Sequence, residues 1–273
     1  MTDRYAVIGN PVQHSKSPLI HNAFAAATGQ DLVYATIEAP VDGFARAVHA
    51  FRRGGGRGLN VTTPFKLDAF DIATERRPRA ELAGAVNALK FEGGRIVAEN
   101  FDGVGLVNDI RRNLGVALSG ARLLILGAGG AARGALLPFI AQQPASIVVA
   151  NRTAARARAL AQDVAAHGNV IGCGYEAVGD HAFDVVINAT SASLRNELPA
   201  VAPRVFDGAA LAYELAYGKG LTPFLRMARD AGAARIADGV GMLVEQAAEA
   251  FEWWRGIRPD TRPLIETLTV PLV

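Results

Sequence analysis

The stretch from Arg122 to Arg156, RLLILGAGGAARGALLPFIAQQPASIVVANRTAAR, decides the fold. Its apolar run at residues 123–126 predicts a strand, the segment that runs through Ile140 predicts a helix, and residues 147–150 predict a second strand. A strand, a glycine turn, a helix and a strand within about thirty residues are the form of a nucleotide-binding βαβ unit. This stretch therefore indicates a domain that binds a dinucleotide.

The glycine turn of this unit follows the pattern GxGxxA. Gly127 would allow the tight turn, Gly129 would let the backbone approach a pyrophosphate, and the small Ala132 would let the helix lie close to the strand. The free N–H groups at the start of the helix would face the phosphates. Such strings also occur in ordinary tight turns, but the complete βαβ context favours dinucleotide binding.

The end of the second strand distinguishes NADP from NAD. NAD sites usually place Asp or Glu there to bind the ribose 2′-hydroxyl, whereas NADP sites use arginine for the 2′-phosphate. This chain has Asn151 and Arg152 at the tip and Arg156 one helical turn later. The arginines could form only a solvated helix face, but together with the missing acid they predict NADP.

Length and composition indicate two globular domains. The chain has 273 residues, of which 50% are hydrophobic and 20% are charged, so a sizeable core is expected. The net charge of +2 does not favour nucleic acid or an anionic membrane as a partner. We expect no disulfide, because Cys173 is the one cysteine, and no metal site, because the five histidines lack metal-ligand spacing. The N-terminus lacks the apolar core of a signal peptide, so the expected location is the cytoplasm.

The first hundred residues form a separate predicted α/β block. Ser17 followed by Pro18 predicts a helix start with serine as the N-cap. Capping alone explains Ser17, whereas Ser15 has no such explanation, and two hydroxyls at a helix N-terminus could also bind a carboxylate. Thr62, Lys66 and Asp102 also come just after predicted strands. If those strands are parallel, the side chains meet at one edge of a sheet.

The predicted architecture is therefore α/β with two mainly parallel sheets. An N-terminal substrate domain would comprise residues 1–103 and 239–273, and a doubly wound Rossmann-type NADP-binding domain would comprise residues 104–238. A cleft between them would bring the cofactor to the substrate.

Nine sequence blocks, in order along the chain, resemble the shikimate dehydrogenase family nearly from end to end. They are GNPVQHSKSPLIH from Gly9, NVTTPFK from Asn60, GAVNAL from Gly84, ENFDG from Glu99, GAGGAARG from Gly127, NRTAAR from Asn151, NATSASL from Asn188, KGLTPFL from Lys219 and ADGVGMLVEQAAEAF from Ala237. The resemblance implies reversible, NADPH-dependent reduction of 3-dehydroshikimate to shikimate, on the pathway to aromatic amino acids.

The resemblance also implies the roles of individual residues. Lys66 and Asp102 would be the catalytic pair. Substrate would be bound by Ser15, Ser17, Thr62, Lys66, Asn87, Asp102, Tyr217 and Gln246. The cofactor would be bound by Gly127, Ala128, Gly129, Gly130, Ala131, Ala132, Asn151, Arg152, Thr153, Arg156, Leu215 and Gly239. The partner would be a small-molecule substrate, and the chain would act as a monomer or a homodimer.

The chain departs from the family pattern in three places, one of them a pair of residues. Phe101 stands where threonine is usual, so substrate packing near Asp102 could differ. Glu214-Leu215 replaces a common Asp-Met pair, and Ala88 stands where threonine is common. The alternatives are a quinate/shikimate dehydrogenase or a related small-acid dehydrogenase that uses NAD, and a non-catalytic NADP-binding regulator.

Overall fold

A computed structural model describes residues 2–179 and 181–272. The chain divides into two compact units. Unit 1 contains the N-terminal residues up to Gly105 and the segment Val244–Leu264, and unit 2 contains Leu106–Leu243 and the residues from Ile265 onward. These boundaries lie near the predicted ones, except that the segment after Leu264 clusters with unit 2. The assignment of a substrate domain and an NADP domain to these parts of the chain remains a prediction.

Unit 1 is built on a six-stranded mixed sheet. Its strands are β1 (Asp3–Gly9), β2 (Leu32–Glu38), β3 (Gly56–Val61), β4 (Glu75–Arg76), β5 (Ala88–Glu92) and β6 (Arg95–Glu99). They are arranged in the order β2-β1-β3-β5-β6-β4. β5 runs antiparallel to β3 and to β6, and the other pairs are parallel. β5 and β6 thus form a hairpin through Gly93 and Gly94.

Five helices begin within unit 1 before residue 105, and two more follow near the C-terminus. They are α1 (Ser17–Thr28), α2 (Phe44–Arg53), α3 (Lys66–Ile72), α4 (Pro78–Ala83) and α5 (Asp102–Asn108), then α9 (Val240–Arg255) and α10 (Arg262–Leu268). α5 and α9 run across the limits of the units, and α10 lies mostly in unit 2.

Both faces of the unit 1 sheet are buried, as the apolar run of β1 requires. Alternate residues of a strand point to opposite faces. Ala6 and Ile8 belong to one apolar cluster with residues of α2 and α3, whereas Tyr5 and Val7 belong to another with Trp254 of α9. The sheet is thus a middle layer, and functional groups lie at its carboxyl edge.

Unit 2 is a six-stranded, all-parallel sheet. Its strands are β7 (Arg122–Leu126), β8 (Ser146–Ala150), β9 (Val170–Cys173), β10 (Val185–Asn188), β11 (Leu211–Glu214) and β12 (Ile236–Ala237). The helices of this unit include α6 (Gly130–Ile140), α7 (Ala154–Asp163) and α8 (Pro223–Asp230). The strand order β12-β11-β10-β7-β8-β9 is the doubly wound dinucleotide-binding order, which confirms the predicted fold class.

The strand order locates the ligand site of unit 2. The chain first winds from β7 toward β9 and then returns to build outward from β10, so the order reverses between β7 and β10. Ligands of such sheets bind beyond the carboxyl ends of the strands at this switch point. Gly127 follows β7 there, and Ala189 follows β10.

Some element limits differ from the prediction. α1 begins at Ser17 itself, preceded by Lys16, and no side chain caps it, so the prediction that Ser17 is the N-cap is wrong. Within the described residues, no helix is both long and apolar enough to cross a bilayer.

Candidate active site

Lys66 and Asp102 form a direct ion pair at the carboxyl edge of the unit 1 sheet. Lys66 is the first residue of α3 and Asp102 the first of α5, so each is placed by a helix that follows a strand. The Lys66 Nζ lies 2.6 Å from Asp102 Oδ2, and the side chains are 34% and 18% exposed. Because the ammonium is held by one carboxylate oxygen and is still partly open to solvent, it can donate a second hydrogen bond to a ligand.

The Asp102 carboxylate is fixed by neighbours other than Lys66. Its second oxygen, Oδ1, accepts a hydrogen bond from Asn87 Nδ2 at 2.8 Å, and the backbone N–H of Asp102 donates to Asn100 Oδ1 at 3.0 Å. Both carboxylate oxygens therefore have partners, and the group is oriented before any substrate binds.

The Asn87 side chain forms hydrogen bonds with several groups of this site. It precedes β5, and its Nδ2 also donates to Gln246 Oε1 of α9 at 3.2 Å. Its Oδ1 accepts the backbone N–H of Phe101 at 2.9 Å. α9 thus returns to unit 1 and brings Gln246 to the other predicted substrate-binding groups. Lys66, Asn87, Asp102 and Gln246 meet as predicted, although they lie up to 180 positions apart in the chain.

The two predicted carboxylate-binding serines lie at the start of α1. Ser15 Oγ accepts the backbone N–H of Ser17 at 3.2 Å, so Ser15 rather than Ser17 satisfies a free backbone group at this helix end. Ser17 is buried. Ser17 is therefore not the N-cap, and its backbone N–H is satisfied by the Ser15 hydroxyl from outside the helix.

Thr62 directly follows β3, and its backbone N–H donates to Ile8 O of β1 at 3.0 Å. β1 and β3 are parallel neighbours, so Thr62 and the loop after β1 emerge at the same edge of the sheet. Tyr217 differs from the other predicted substrate residues, because it belongs to unit 2, in the loop after β11, where it is exposed.

The glycine turn of unit 2 has the geometry that the sequence predicts. Gly127 has a φ of 108°, which a residue with a Cβ adopts only under strain. Its N–H donates to Ala150 O of β8 at 2.7 Å. A Cβ added at Gly129 or Gly130 would meet no atom within 4 Å, so the backbone that opens α6 is accessible to a ligand. Phosphate groups fit such a cradle of free N–H groups.

A cavity of about 450 Å³ lies over this turn, within unit 2. Its lining includes eight predicted cofactor residues, namely Gly127, Ala128, Gly129, Gly130, Ala131, Asn151, Arg152 and Arg156. Both arginines are exposed and line the side of the cavity that follows β8. Their positions agree with the predicted role in binding a 2′-phosphate.

Four predicted cofactor residues do not line this cavity. Ala132 is fully buried in α6, as close helix–strand packing requires. Thr153 precedes α7, and its carbonyl oxygen accepts a hydrogen bond from Asn151 Nδ2 at 3.0 Å. Leu215 and Gly239 lie against each other, because a Cβ on Gly239 would come within 2.2 Å of Leu215 O. Their role toward a cofactor remains a prediction.

The structure adds residues for which the sequence reasoning gave no role. Thr190, Ser191, Arg195 and Glu197 all line the cavity. Arg195 donates to both carboxylate oxygens of Glu197, at 3.1 and 2.9 Å, and to Ser191 Oγ at 3.2 Å. The block NATSASL was the available signal, because it follows β10 at the switch point of the sheet.

The Tyr175 side chain also lines the cavity. Burial raises the pKa of its hydroxyl, and the charge of Arg152 partly opposes that rise, so the phenol stays neutral near pH 7. Within the part of the chain that the structure describes, no group of three or more His, Cys, Asp or Glu side chains could hold a metal ion.

Comparison with known families gives three consecutive matches. Residues 7–89 match the shikimate dehydrogenase substrate binding domain, residues 109–196 match shikimate / quinate 5-dehydrogenase, and residues 239–269 match the shikimate 5'-dehydrogenase C-terminal domain. Together they span most of the chain.

Individual relatives are similar over their whole length. A shikimate dehydrogenase (NADP(+)) of Nitrosospira multiformis is 55% identical over 268 residues, which are 98% of each chain. The crystal structure of an Ael1 enzyme from Pseudomonas putida is 60% identical, covers 100% of both chains and superimposes with a TM-score of 0.98. Shikimate 5-dehydrogenase from Thermus thermophilus, in complex with NADP(H) and shikimate, is 30% identical over 98% of both chains, with a TM-score of 0.84.

Proposed function

The chain belongs to the shikimate dehydrogenase family, and we propose that it catalyses the reversible, NADPH-dependent reduction of 3-dehydroshikimate to shikimate. It is an oxidoreductase that acts on a CH–OH group, in the biosynthesis of aromatic amino acids. The observation that carries this proposal is the constellation of Lys66, Asp102, Asn87 and Gln246, which presents an ammonium and amide groups at one edge of the unit 1 sheet.

The cofactor of this activity is NADP. The turn from Gly127 to Ala131 holds its pyrophosphate, and Arg152 and Arg156 bind the 2′-phosphate, because guanidinium groups match phosphate oxygens. The nicotinamide supplies the hydride when bound. Leu215 and Gly239 contact this end of the cofactor in our proposal.

Lys66 transfers the proton of the reaction, and Asp102 orients Lys66. Reduction of the ketone builds negative charge on its oxygen, and the Lys66 ammonium stabilises that charge and donates the proton. In the reverse direction the neutral amine accepts the proton of the alcohol. Asp102 orients the Lys66 Nζ at 2.6 Å, and Asn87 in turn orients Asp102.

The remaining groups hold the substrate in place. Ser15 and Ser17 bind the substrate carboxylate through their hydroxyls. Thr62, Asn87 and Gln246 bind the ring hydroxyls, and Tyr217 is the remaining substrate-binding residue of this proposal. The substrate domain in this proposal comprises residues 1–103 and 239–273, and the NADP domain comprises residues 104–238.

The protein acts in the cytoplasm on a small molecule, without a nucleic acid or membrane partner, as a monomer or a homodimer. The net charge of +2 supports the absence of a nucleic acid or membrane partner, because so small a charge attracts polyanions only weakly. Light scattering on the purified protein decides between the two oligomeric states.

The direct test is a steady-state assay of shikimate oxidation with NADP and with NAD. We expect the catalytic efficiency to be higher with NADP by about tenfold or more, since each charge-assisted contact to the 2′-phosphate contributes about 1.5–3 kcal/mol. We also expect shikimate to be oxidised faster than quinate.

Other outcomes of this assay contradict the proposal in distinct ways. A higher efficiency with NAD refutes the cofactor assignment, and faster turnover of quinate or another small acid refutes the substrate. NADP binding without any turnover would identify the non-catalytic regulator.

A further inference from the structure

The cofactor cavity of unit 2 contains a carboxylate as well as arginines. Among the described residues that line it, Glu197 is the only acidic one, whereas Arg152, Arg156 and Arg195 are basic. The proposed ligand of this cavity is an anion, and like charges repel at the short distances within a space of about 450 Å³. Glu197 therefore acts against the arginines that would bind the cofactor phosphates.

The loop after β10 holds Glu197 at this place. The Glu197 backbone N–H donates to Ala192 O at 3.0 Å, and Ala192 begins a single turn of 3₁₀-helix that ends at Arg195. The Arg195 guanidinium donates to Ser191 Oγ and to both oxygens of the Glu197 carboxylate. The position of this carboxylate is thus fixed by contacts within the loop and does not require a bound ligand.

Glu197 is negatively charged near neutral pH and interacts with two arginines. The hydrogen bonds from Arg195 lower the pKa of the Glu197 carboxyl below its ordinary value, and the charge of Arg152 adds a smaller effect in the same direction. Glu197 is therefore within electrostatic reach of Arg152, the arginine that follows β8. The side chains of Glu197 and Arg195 are each 55% exposed, so both are accessible to a ligand in the cavity.

The interaction with Arg152 determines which cofactor Glu197 affects most. In the free protein the Glu197 carboxylate attracts the Arg152 guanidinium, but a 2′-phosphate bound by Arg152 would meet the same carboxylate as a like charge. A phosphate monoester carries a charge of about −1.5 to −2 at neutral pH. NAD has a hydroxyl in place of this phosphate, so the repulsion falls mainly on NADP.

We propose that Glu197 is a specificity-determining residue that opposes the 2′-phosphate: it lowers the affinity for NADP and leaves the affinity for NAD nearly unchanged. This inference rests on the proposed function, because it takes Arg152 as a ligand of the 2′-phosphate. Differences in affinity between closely related complexes lie mostly in the dissociation rate. Glu197 therefore accelerates release of the cofactor, which the enzyme must exchange at every turnover.

Replacement of Glu197 by glutamine tests the inference, because it removes the charge and keeps the size of the side chain. The probes are adenosine 2′,5′-bisphosphate and adenosine 5′-monophosphate, which differ only in the 2′-phosphate. In titration calorimetry at about 20 mM salt, the Kd for the bisphosphate should fall about threefold to tenfold, and the Kd for the monophosphate should change by less than about twofold. NADP and NAD should show the same pattern. At about 1 M salt, where the Debye length is about 3 Å, the gain should fall below about twofold.

Glu266→Gln is the matched control, because it removes the same charge from an exposed glutamate of unit 2 that does not line the cavity. We expect wild-type Kd values from this variant. An equal gain in both variants would overturn the inference, because it would be an effect of net charge alone. A higher Kd for the bisphosphate in Glu197→Gln would also overturn it, because Glu197 would then assist binding by orienting Arg195.

A double-mutant cycle with Arg195→Gln separates charge from local structure. Arg195→Gln alone should raise the Kd for the bisphosphate about threefold to tenfold, because Glu197 loses the charge that neutralises it. The double variant should bind within about twofold of wild type, since the pair is neutral in both proteins. A double variant as weak as Arg195→Gln overturns the inference, because Arg195 alone would then set the affinity.

The wild-type protein distinguishes failure of this inference from failure of the proposed function. If the wild type binds NADP and the bisphosphate and Glu197→Gln leaves both Kd values unchanged, only the role of Glu197 is overturned. A wild-type protein that binds neither compound refutes the cofactor assignment and the inference together.

Discussion

Lys66 is the residue on which the proposed chemistry depends most directly. Lys66→Ala removes the only ammonium that pairs with Asp102 in the described part of the chain. We expect kcat to fall by about 10²–10⁴-fold, the usual contribution of a positioned acid or base. The KM for shikimate should change little, because Ser15, Ser17, Thr62 and Asn87 remain.

Lys90→Ala is the control for this change. Lys90 lies on β5 in the same unit, and its Nζ pairs with Glu92 at a longer distance of 3.7 Å. Cofactor binding, followed by nicotinamide fluorescence, should be unchanged in both variants. A Lys66→Ala enzyme that keeps more than about a tenth of the wild-type kcat would exclude Lys66 as the proton donor.

At the residue scale, sequence reasoning works where a residue type and its place after a strand agree. Lys66 and Asp102 were predicted in this way, and the structure pairs them. Gln246 could not be predicted in this way, because a polar residue on a helix gives no indication of which part of the fold that helix packs against. Phe101 was expected to affect substrate packing near Asp102, and this stays a prediction. The structure shows its ring buried against Trp253, with 5.6 Å between the ring centroids. A side chain's direction at a strand end is set by packing that the sequence does not display.

The end of β11 shows how one element organises its neighbours. Glu214 is fully buried, and its carboxylate accepts hydrogen bonds from Asn188 Nδ2 at 2.9 Å and from the Ser193 hydroxyl. It also accepts the Ala216 N–H at 3.3 Å and the Thr222 hydroxyl at 3.4 Å. Burial raises the pKa of Glu214, and these hydrogen bonds limit the rise. The carboxylate thus fastens the turn after β10, which lines the cofactor cavity, to β11.

Glu214→Gln should weaken this turn. The glutamine amide has one oxygen, so it cannot accept all four donors, and buried unpaired donors cost about 1–3 kcal/mol. We expect a lower free energy of unfolding by about that amount and a KM for NADP that rises about fivefold, with the KM for shikimate unchanged. Thermal unfolding and kinetics measure these effects.

Glu266→Gln is the control for this element, because Glu266 is an exposed glutamate of α10. If Glu214→Gln lowers stability but leaves NADP binding at the wild-type level, the network is structural only and does not hold the cofactor turn.

At the element scale, the long apolar runs were predicted well and the short elements were not. β7 and β8 were predicted because Val, Leu and Ile runs mark buried parallel strands. β4 contains only Glu75 and Arg76, and β9 is interrupted by Gly172, so neither has a hydrophobic pattern. Their strand conformation depends on pairing with β6 and β8, which is information from the rest of the sheet.

At the scale of the whole chain, the alternation of strands and helices predicts two α/β blocks, and the structure contains two sheets. The antiparallel position of β5 follows from the short Gly93-Gly94 turn, which can join only antiparallel strands. The place of the last segment could not be predicted in this way. Leu272 packs against the core of unit 2. An apolar residue near a chain end gives no indication in the sequence of which core it will cover.

The stability of unit 1 should depend on pH through one buried histidine. His21 is 1% exposed, and neither ring nitrogen has a hydrogen-bond partner of normal geometry. Its ring lies among the aromatic rings of Tyr34, Phe24, Phe251 and Trp254. Burial lowers the pKa of His21 from its ordinary value of 6.5 to about 3, and the nearby Asn60 side chain opposes this only in part. The folded protein therefore keeps this imidazole neutral.

The lowered pKa fixes the sign of the effect. Below pH 6.5 His21 becomes protonated in the unfolded chain, but in the folded protein it stays neutral until the pH approaches 3. Acid therefore favours unfolding. Each pH unit in this window costs about 1.4 kcal/mol, which predicts a loss of about 2 kcal/mol between pH 7 and pH 5 from this residue. His21→Leu should abolish that part of the pH dependence, whatever its effect on stability at pH 7.

Tryptophan fluorescence reports the unfolding of unit 1, because the two tryptophans of the chain, Trp253 and Trp254, both belong to that unit. Denaturant titrations at about pH 7 and pH 5 give the unfolding free energies of wild type, His21→Leu and the exposed-site control His49→Gln. The control should keep the wild-type difference, since His49 is solvated in both states. Equal pH differences in wild type and His21→Leu would show that His21 is protonated in the folded state, and the buried neutral imidazole would have to be rejected.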